Sequence, residues 1–156
     1  MKTLFSIVAT LLVLAISGCA PQMDVEADTA AVKKWFDEST AALNANDGSI
    51  VDLGTEDAVV MYADAPAVTG RDALRARQQA IYDQATFEEN RSVDEIVISG
   101  DWAFVRWAGT GTMTPKDGSE PSVFDRKGIA ILQRQPDNSW KMARVIWNSN
   151  QPPASE

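Results

Sequence analysis

The polar residues that could do chemistry in this chain are few, and most of them fall on strands. Asp125, Arg126 and Lys127 stand in a row inside an otherwise apolar alternation. A period of two sends Arg126 to one face and Asp125 and Lys127 to the other. A solvated outer face accounts for two of the three charges, so an inward Asp125 or Arg126 is the remaining acid/base candidate. Further along, Trp140, Met142, Arg144, Ile146 and Asn148 share one face of a strand. Arg144 and Asn148 would be costly in a dry core. They suit a partly wet pocket, in which Arg144 could grip a carboxylate. The alternative is an ion pair between Arg144 and an acid such as Asp125. Tyr62 ends a short apolar strand. It either offers a hydroxyl to a ligand or is a core residue with its tip in water.

Other chemistry is excluded by what the chain lacks. It has 156 residues, no histidine and a single cysteine. Ser-His-Asp and Cys-His catalysis and histidine-ligated metal sites need residues that are not there. One cysteine forms no intrachain disulfide and no thiolate cluster. No metal or cofactor is called for. The formal charge of -8, from 14 basic and 22 acidic residues, argues against a nucleic-acid partner. The length suits one domain with a real core.

Several elements must position these residues. Residues 1–18 read as a signal segment: Lys2 is the charged start, and Leu4 to Ile16 is a nearly unbroken apolar run. Ile16-Ser17-Gly18-Cys19 resembles a bacterial lipoprotein lipobox. That resemblance implies cleavage before Cys19 and acylation of it. Each buried CH₂ contributes about 0.8 kcal/mol, so several chains anchor stably. Residues 19–27 then read as a tether, and Ala20 resembles the outer-membrane sorting pattern, facing the periplasm. The domain is expected over 28–150, followed by a flexible tail at 151–156. Asp28 to Asn46 reads as a helix capped by Asp28 or Thr29, with Val32, Trp35, Phe36, Ser39 and Leu43 on one face. Ser49 to Leu53 reads as a short second helix, and Ala58 to Tyr62 as a buried strand. Thr69-Gly70-Arg71-Asp72 reads as the start of a third helix running to about Gln84.

From Thr86 on, helix patterns give way to four strands: Phe87 to Ile98, Trp102 to Met113, Val123 to Arg134 and Trp140 to Ser149. The separators are short and turn-like, so consecutive strands should pair antiparallel. Helices followed by strands give an α+β order. About three N-terminal helices would pack on a curved, mainly antiparallel sheet and leave a pocket at its open end. Trp35, Ser39, Tyr62, Trp140, Met142, Arg144 and Asn148 are the expected lining. The tryptophans Trp35, Trp102, Trp107 and Trp147 read mainly as packing. On this alternation Lys141, Ala143, Val145 and Trp147 take the outer sheet face, too apolar for solvent alone, and predict a two-fold dimer there.

The chain resembles the nuclear transport factor 2-like superfamily, and within it the SnoaL-like or DUF4440 proteins. The resemblance is carried by Ala41-Ala42-Leu43-Asn44-Ala45-Asn46-Asp47, by Val68-Thr69-Gly70-Arg71-Asp72-Ala73-Leu74 and by Gly100-Asp101-Trp102-Ala103-Phe104-Val105-Arg106. Arg134 to Lys141 and Ile146 to Asn150 complete it. It implies a cone-shaped α+β (cystatin-like) fold. It also implies where a ketosteroid isomerase would keep its base, its tyrosine and its second aspartate: at Tyr62, Ser39 and Ala130. None of those groups is present, so steroid-isomerase chemistry is not expected. Three functions remain: a lipid-anchored domain binding a small, largely apolar ligand, a cofactor-independent lyase, hydratase or hydrolase, and a dimerising assembly module.

Overall fold

Helix α1 (Val25–Asn44) begins where Asp24 can hold its free amides: the carboxylate accepts a hydrogen bond of 3.0 Å from the Ala27 N–H. The computed structural model describes residues 24–63 and 65–151. The expected signal segment, Cys19 and the tail beyond residue 151 lie outside the described residues. The helix therefore starts three residues earlier than the sequence suggested and takes up the end of the expected tether. Val32, Trp35, Phe36 and Ser39 are its buried side chains. Lys33 and Asp37 pair on its exposed side at 2.7 Å. Asp28 is not the cap. It accepts two hydrogen bonds of 2.6 Å from the Arg134 guanidinium, tying the first turn of α1 to the far end of the sheet.

The expected second helix is a 3₁₀ turn, Ser49–Leu53. Gly48 in a left-handed conformation (φ 82°) and extended Gly54 bracket it, leaving no room for a longer helix. The domain thus has two α-helices among its described residues, not three. The second, α2 (Arg71–Gln84), follows Gly70 at φ 90° with no side-chain cap. Thr69 cannot serve as that cap because it belongs to a two-residue strand. Leu74 and Tyr82 are buried along α2.

The sheet has six strands: β1 (Gly54–Met61), β2 (Val68–Thr69), β3 (Ala85–Ser99), β4 (Trp102–Pro115), β5 (Ser122–Arg134) and β6 (Trp140–Ser149). Their order is β2-β1-β6-β5-β4-β3. Only β1 and β6 run parallel, and every other pair is antiparallel. The Pro136–Ser139 turn forms as its residues demand, with Asn138 at φ 64° and Asp137 accepting from the Ser139 N–H. β3 is an edge, and α1 covers part of it. The Asn44 amide donates to the Glu89 carbonyl and accepts from the Glu89 N–H, both at 2.8 Å. Asn46 does the same to Phe87 at 2.9 and 2.7 Å. Two asparagines thus stand in for a missing neighbouring strand.

One irregularity redirects half of β6. Leu132 pairs with Met142 but Ile131 pairs with Arg144, so Ala143 is an extra residue. A bulge of this kind reverses the alternation beyond it. Trp140 and Met142 face inward as expected. Past the bulge it is Val145 and Trp147 that line the interior, while Arg144, Ile146 and Asn148 turn outward. The predicted dimer patch of Lys141, Ala143, Val145 and Trp147 is corrected with it. The main core holds Val32, Phe36, Val105, Leu132 and Trp140 between α1 and the sheet.

The Asp28–Arg134 pair gives a pH prediction. Both side chains are largely shielded, at 13% and 17% exposure. The hydrogen bonds from Arg134 hold the Asp28 carboxyl below its ordinary value of 3.8. A depressed carboxylate contributes stability above the unfolded pKa and loses it as pH falls through the folded one. Asp28→Ala is therefore expected to cost about 1–3 kcal/mol at neutral pH. The gap to the parent should close below about pH 4. Urea denaturation across that range checks both statements.

Candidate functional site

A cavity of about 510 Å³ lies between the two helices and the inner face of the sheet. Phe36 and Leu43 of α1, Leu74 and Ile81 of α2, and Trp107 and Trp147 of the sheet form much of its wall. The polar part of the lining is built around β4. Gly109 pairs across to Arg91 on β3 and Arg126 on β5, and Gly111 pairs to Glu89 and Phe124. With no β4 side chain at either position, the flanking side chains fold over the strand. A Cβ on Gly109 would stand 2.5 Å from Glu89 Oε1 and 3.1 Å from Arg91 Cγ. A Cβ on Gly111 would collide with the Glu88 carbonyl.

Arg91 is held from above by α1. Its Nε donates to Thr40 Oγ1 at 3.0 Å, and an Nη donates to the Ser39 hydroxyl. Its guanidinium lies 4.6 Å from the Phe36 ring centre. Burial outweighs the nearby Glu89 charge and pulls its pKa down to about 10. Arg126 lies against two rings, 3.9 Å from Phe124 and 4.6 Å from Trp147. Its Nη1 is 3.8 Å from Glu89 Oε2. The Glu89 side chain is 1% exposed, and Oε1 has no hydrogen-bond partner among the described residues. Burial raises its carboxyl above the ordinary range despite Arg126 and Arg91. The site is therefore one carboxyl flanked by two guanidinium groups in an apolar chamber. Towards the α2 side, Tyr62 packs edge-on against Trp147 with Arg77 over its ring at 4.1 Å. Burial raises its phenol pKa as well, so it is a neutral hydroxyl at physiological pH.

Of the residues singled out in the sequence, Trp35, Ser39, Tyr62, Met142 and Arg126 line the cavity. Four others do not. Trp140 packs in the core, with Arg134 over its ring at 4.4 Å. The bulge carries Arg144 and Asn148 to the outer face, where Arg144 pairs with Asp57 at 3.3 Å, not with Asp125. Asp125 accepts from the Asn150 amide at 2.8 Å, outside the chamber, because alternation on β5 gives the inside to Arg126. Glu89 and Arg91 were missed. Their signal was present: Ala85, Phe87, Glu89, Arg91 and Val93 keep one phase of a period-two pattern, which puts two charges on the apolar face.

The model of the SnoaL-like domain matches residues 26–141. The chain belongs to the SnoaL-like family. Similar solved structures include a ketosteroid isomerase-like protein from Erwinia carotovora atroseptica, 27% identical, with a TM-score of 0.74 over 79% of this chain and 96% of that one. A nuclear transport factor 2-like superfamily protein from Salmonella enterica is 8% identical, with a TM-score of 0.72 over 83% and 96%. A candidate scytalone dehydratase from Novosphingobium aromaticivorans is 19% identical, with a TM-score of 0.68 over 81% and 87%. Among curated proteins none matches. As a SnoaL-like protein the chain carries the expected fold with its own polar set. Tyr62, Ser39 and Ala130, where the resemblance to ketosteroid isomerases would put the catalytic groups, all border the cavity, and none is a carboxylate.

Proposed function

We propose that this SnoaL-like domain binds a small, largely apolar molecule in the chamber between its helices and sheet. The observation that carries the reading is the chamber itself, about 510 Å³ walled mainly by aromatic and aliphatic side chains. Sites of that size and lining are typical for small organic ligands. Native mass spectrometry of the protein purified from its own host tests it: a retained small molecule is expected, and its release on unfolding. A second reading, a cofactor-independent enzyme, is favoured by one feature, the buried Glu89 carboxyl in the cavity wall. An enzyme would alter the mass of that molecule on incubation, and Glu89→Gln would leave it unchanged.

Two further proposals concern assembly. The first is anchoring by lipid on Cys19, in the cell envelope. Its support is the Ile16-Ser17-Gly18-Cys19 sequence after an apolar run. Cys19→Ser should shift the protein from the membrane to the soluble fraction, and unchanged partitioning would contradict it. The second is a two-fold dimer through the outer sheet face. Phe104 and Ile131 are paired neighbours there, as are Ile129 and Ile146, with Trp102 beside them. All five are exposed, which makes a patch of the kind that packs against a partner. Sedimentation of the chain from Ala20 onward should give a dimer, and Ile131→Glu a monomer. A monomeric parent at micromolar concentrations would refute it.

A further inference from the structure

We propose that the ligand of this pocket carries a carboxylate on its apolar body, and that Arg126 grips it with Glu89 donating to its second oxygen. This rests on the reading of the chamber as a small-molecule site and names what that site selects. Other arginines of the domain spend their donors on the protein. Arg134 serves Asp28 and Asp101, Arg106 serves Asp94 and Glu95, Arg71 serves Glu56 and the Gly54 carbonyl, and Arg91 serves Ser39 and Thr40. Arg126 makes no hydrogen bond to any described residue, and its one acidic neighbour is at 3.8 Å, too far for a bond. Its side chain is only 20% exposed. The Phe124 and Trp147 ring centres lie 3.9 and 4.6 Å from its guanidinium carbon, and the planar N–H fork is left for a ligand. A planar carboxylate is the group that fork matches.

Charge balance agrees. With Glu89 protonated, Arg91 and Arg126 leave the chamber net positive, and an anionic ligand would offset that charge. Glu89 Oε1 is buried, unpartnered and in the cavity wall. A protonated Glu89 would donate to the ligand, and an ionised one would repel it. The charges that face the Glu89 carboxyl are Arg91 on its own strand and Arg126 on β5. From α2 it is faced by Tyr82, whose pKa lies above 10. None of these changes charge between about pH 5 and about pH 8. Arg77 is a rival anchor on α2: it also lines the cavity, and its Nε has no partner among the described residues.

The experiment is calorimetric titration of the full chain with 2-naphthoate and its neutral counterpart 2-naphthamide. Naphthoate is expected to bind at least about tenfold tighter at pH near 6. Arg126→Met should bring the two within about threefold, while Arg77→Met should leave the preference intact. Because burial raises the Glu89 pKa, its neutral form persists above the usual glutamate range and is lost as pH climbs. Naphthoate affinity should therefore fall as pH rises above the ordinary glutamate range, naphthamide affinity should not, and Glu89→Gln should hold naphthoate affinity high throughout. Equal binding of the two compounds by the parent overturns the carboxylate assignment and leaves the pocket standing. Binding of neither at about 1 mM overturns both. Loss of the preference in Arg77→Met but not in Arg126→Met overturns the assignment to Arg126. If Arg126→Met loses its near-ultraviolet circular dichroism, Glu89→Gln decides, and a pH profile unchanged from the parent overturns the proposal.

Discussion

Trp140→Ala is expected to lower the unfolding free energy by about 3–5 kcal/mol, the range for truncating a buried large aromatic. Trp140 is 5% exposed and belongs to the cluster under α1. It precedes the Ala143 bulge, so it keeps the inward phase that the later residues of β6 lose. It also supports a second interaction, since its ring carries the Arg134 guanidinium that grips Asp28. The two sites share Arg134, so Trp140→Ala and Asp28→Ala should be non-additive. The truncation exposes no orphaned group, because the indole N–H has no partner among the described residues. A denaturation midpoint shift worth less than about 1 kcal/mol would mean the ring is not a core group.

Gly109→Val is expected to weaken ligand binding by roughly 30- to 150-fold, or about 2–3 kcal/mol. Gly109 lies between Arg91 and Arg126 in the register, and the space above it is filled by Glu89. A branched side chain there must displace the carboxyl and enter the chamber. Overpacking should cost a further 1–3 kcal/mol, roughly, of stability. Thermal unfolding alongside a binding titration separates the two effects. A variant that binds like the parent would place the ligand away from the β4 glycines.

The fold was legible because its signals are local and mutually consistent. The four long strands, their turns and α2 all appear near where alternation and turn residues put them. What failed depends on distant partners. Asp28 looked like a cap, and only the folded chain brings Arg134 to it. The Ser49–Leu53 turn looked like a helix, and the glycines at 48 and 54 cut it short. The site was half legible. Alternation on β5 put Arg126 and Asp125 on opposite faces but left open which of them faces inward, and only the fold gives the chamber to Arg126. Arg144 and Asn148 were misplaced by one inserted residue, Ala143, which no period-two count reveals because either phase of β6 is equally apolar. Glu89 and Arg91 were overlooked although they break the apolar phase of β3. The asparagines Asn44 and Asn46 carried the family resemblance. Their physical role, bonding the open edge of β3 beside Glu89, appears only in three dimensions.

The central claim, that the chamber is the ligand site, is tested most directly by the indole N–H signals in a two-dimensional nitrogen–proton spectrum. The chain has five tryptophans. Trp35, Trp107 and Trp147 line the cavity, Trp102 lies on the outer sheet face and Trp140 packs in the core. Each can be assigned by single replacement with phenylalanine. On titration with 2-naphthamide, the signals of Trp35, Trp107 and Trp147 should move while that of Trp102 stays fixed. Movement of Trp102 alone, or of none of the three cavity tryptophans at saturation, would contradict the account.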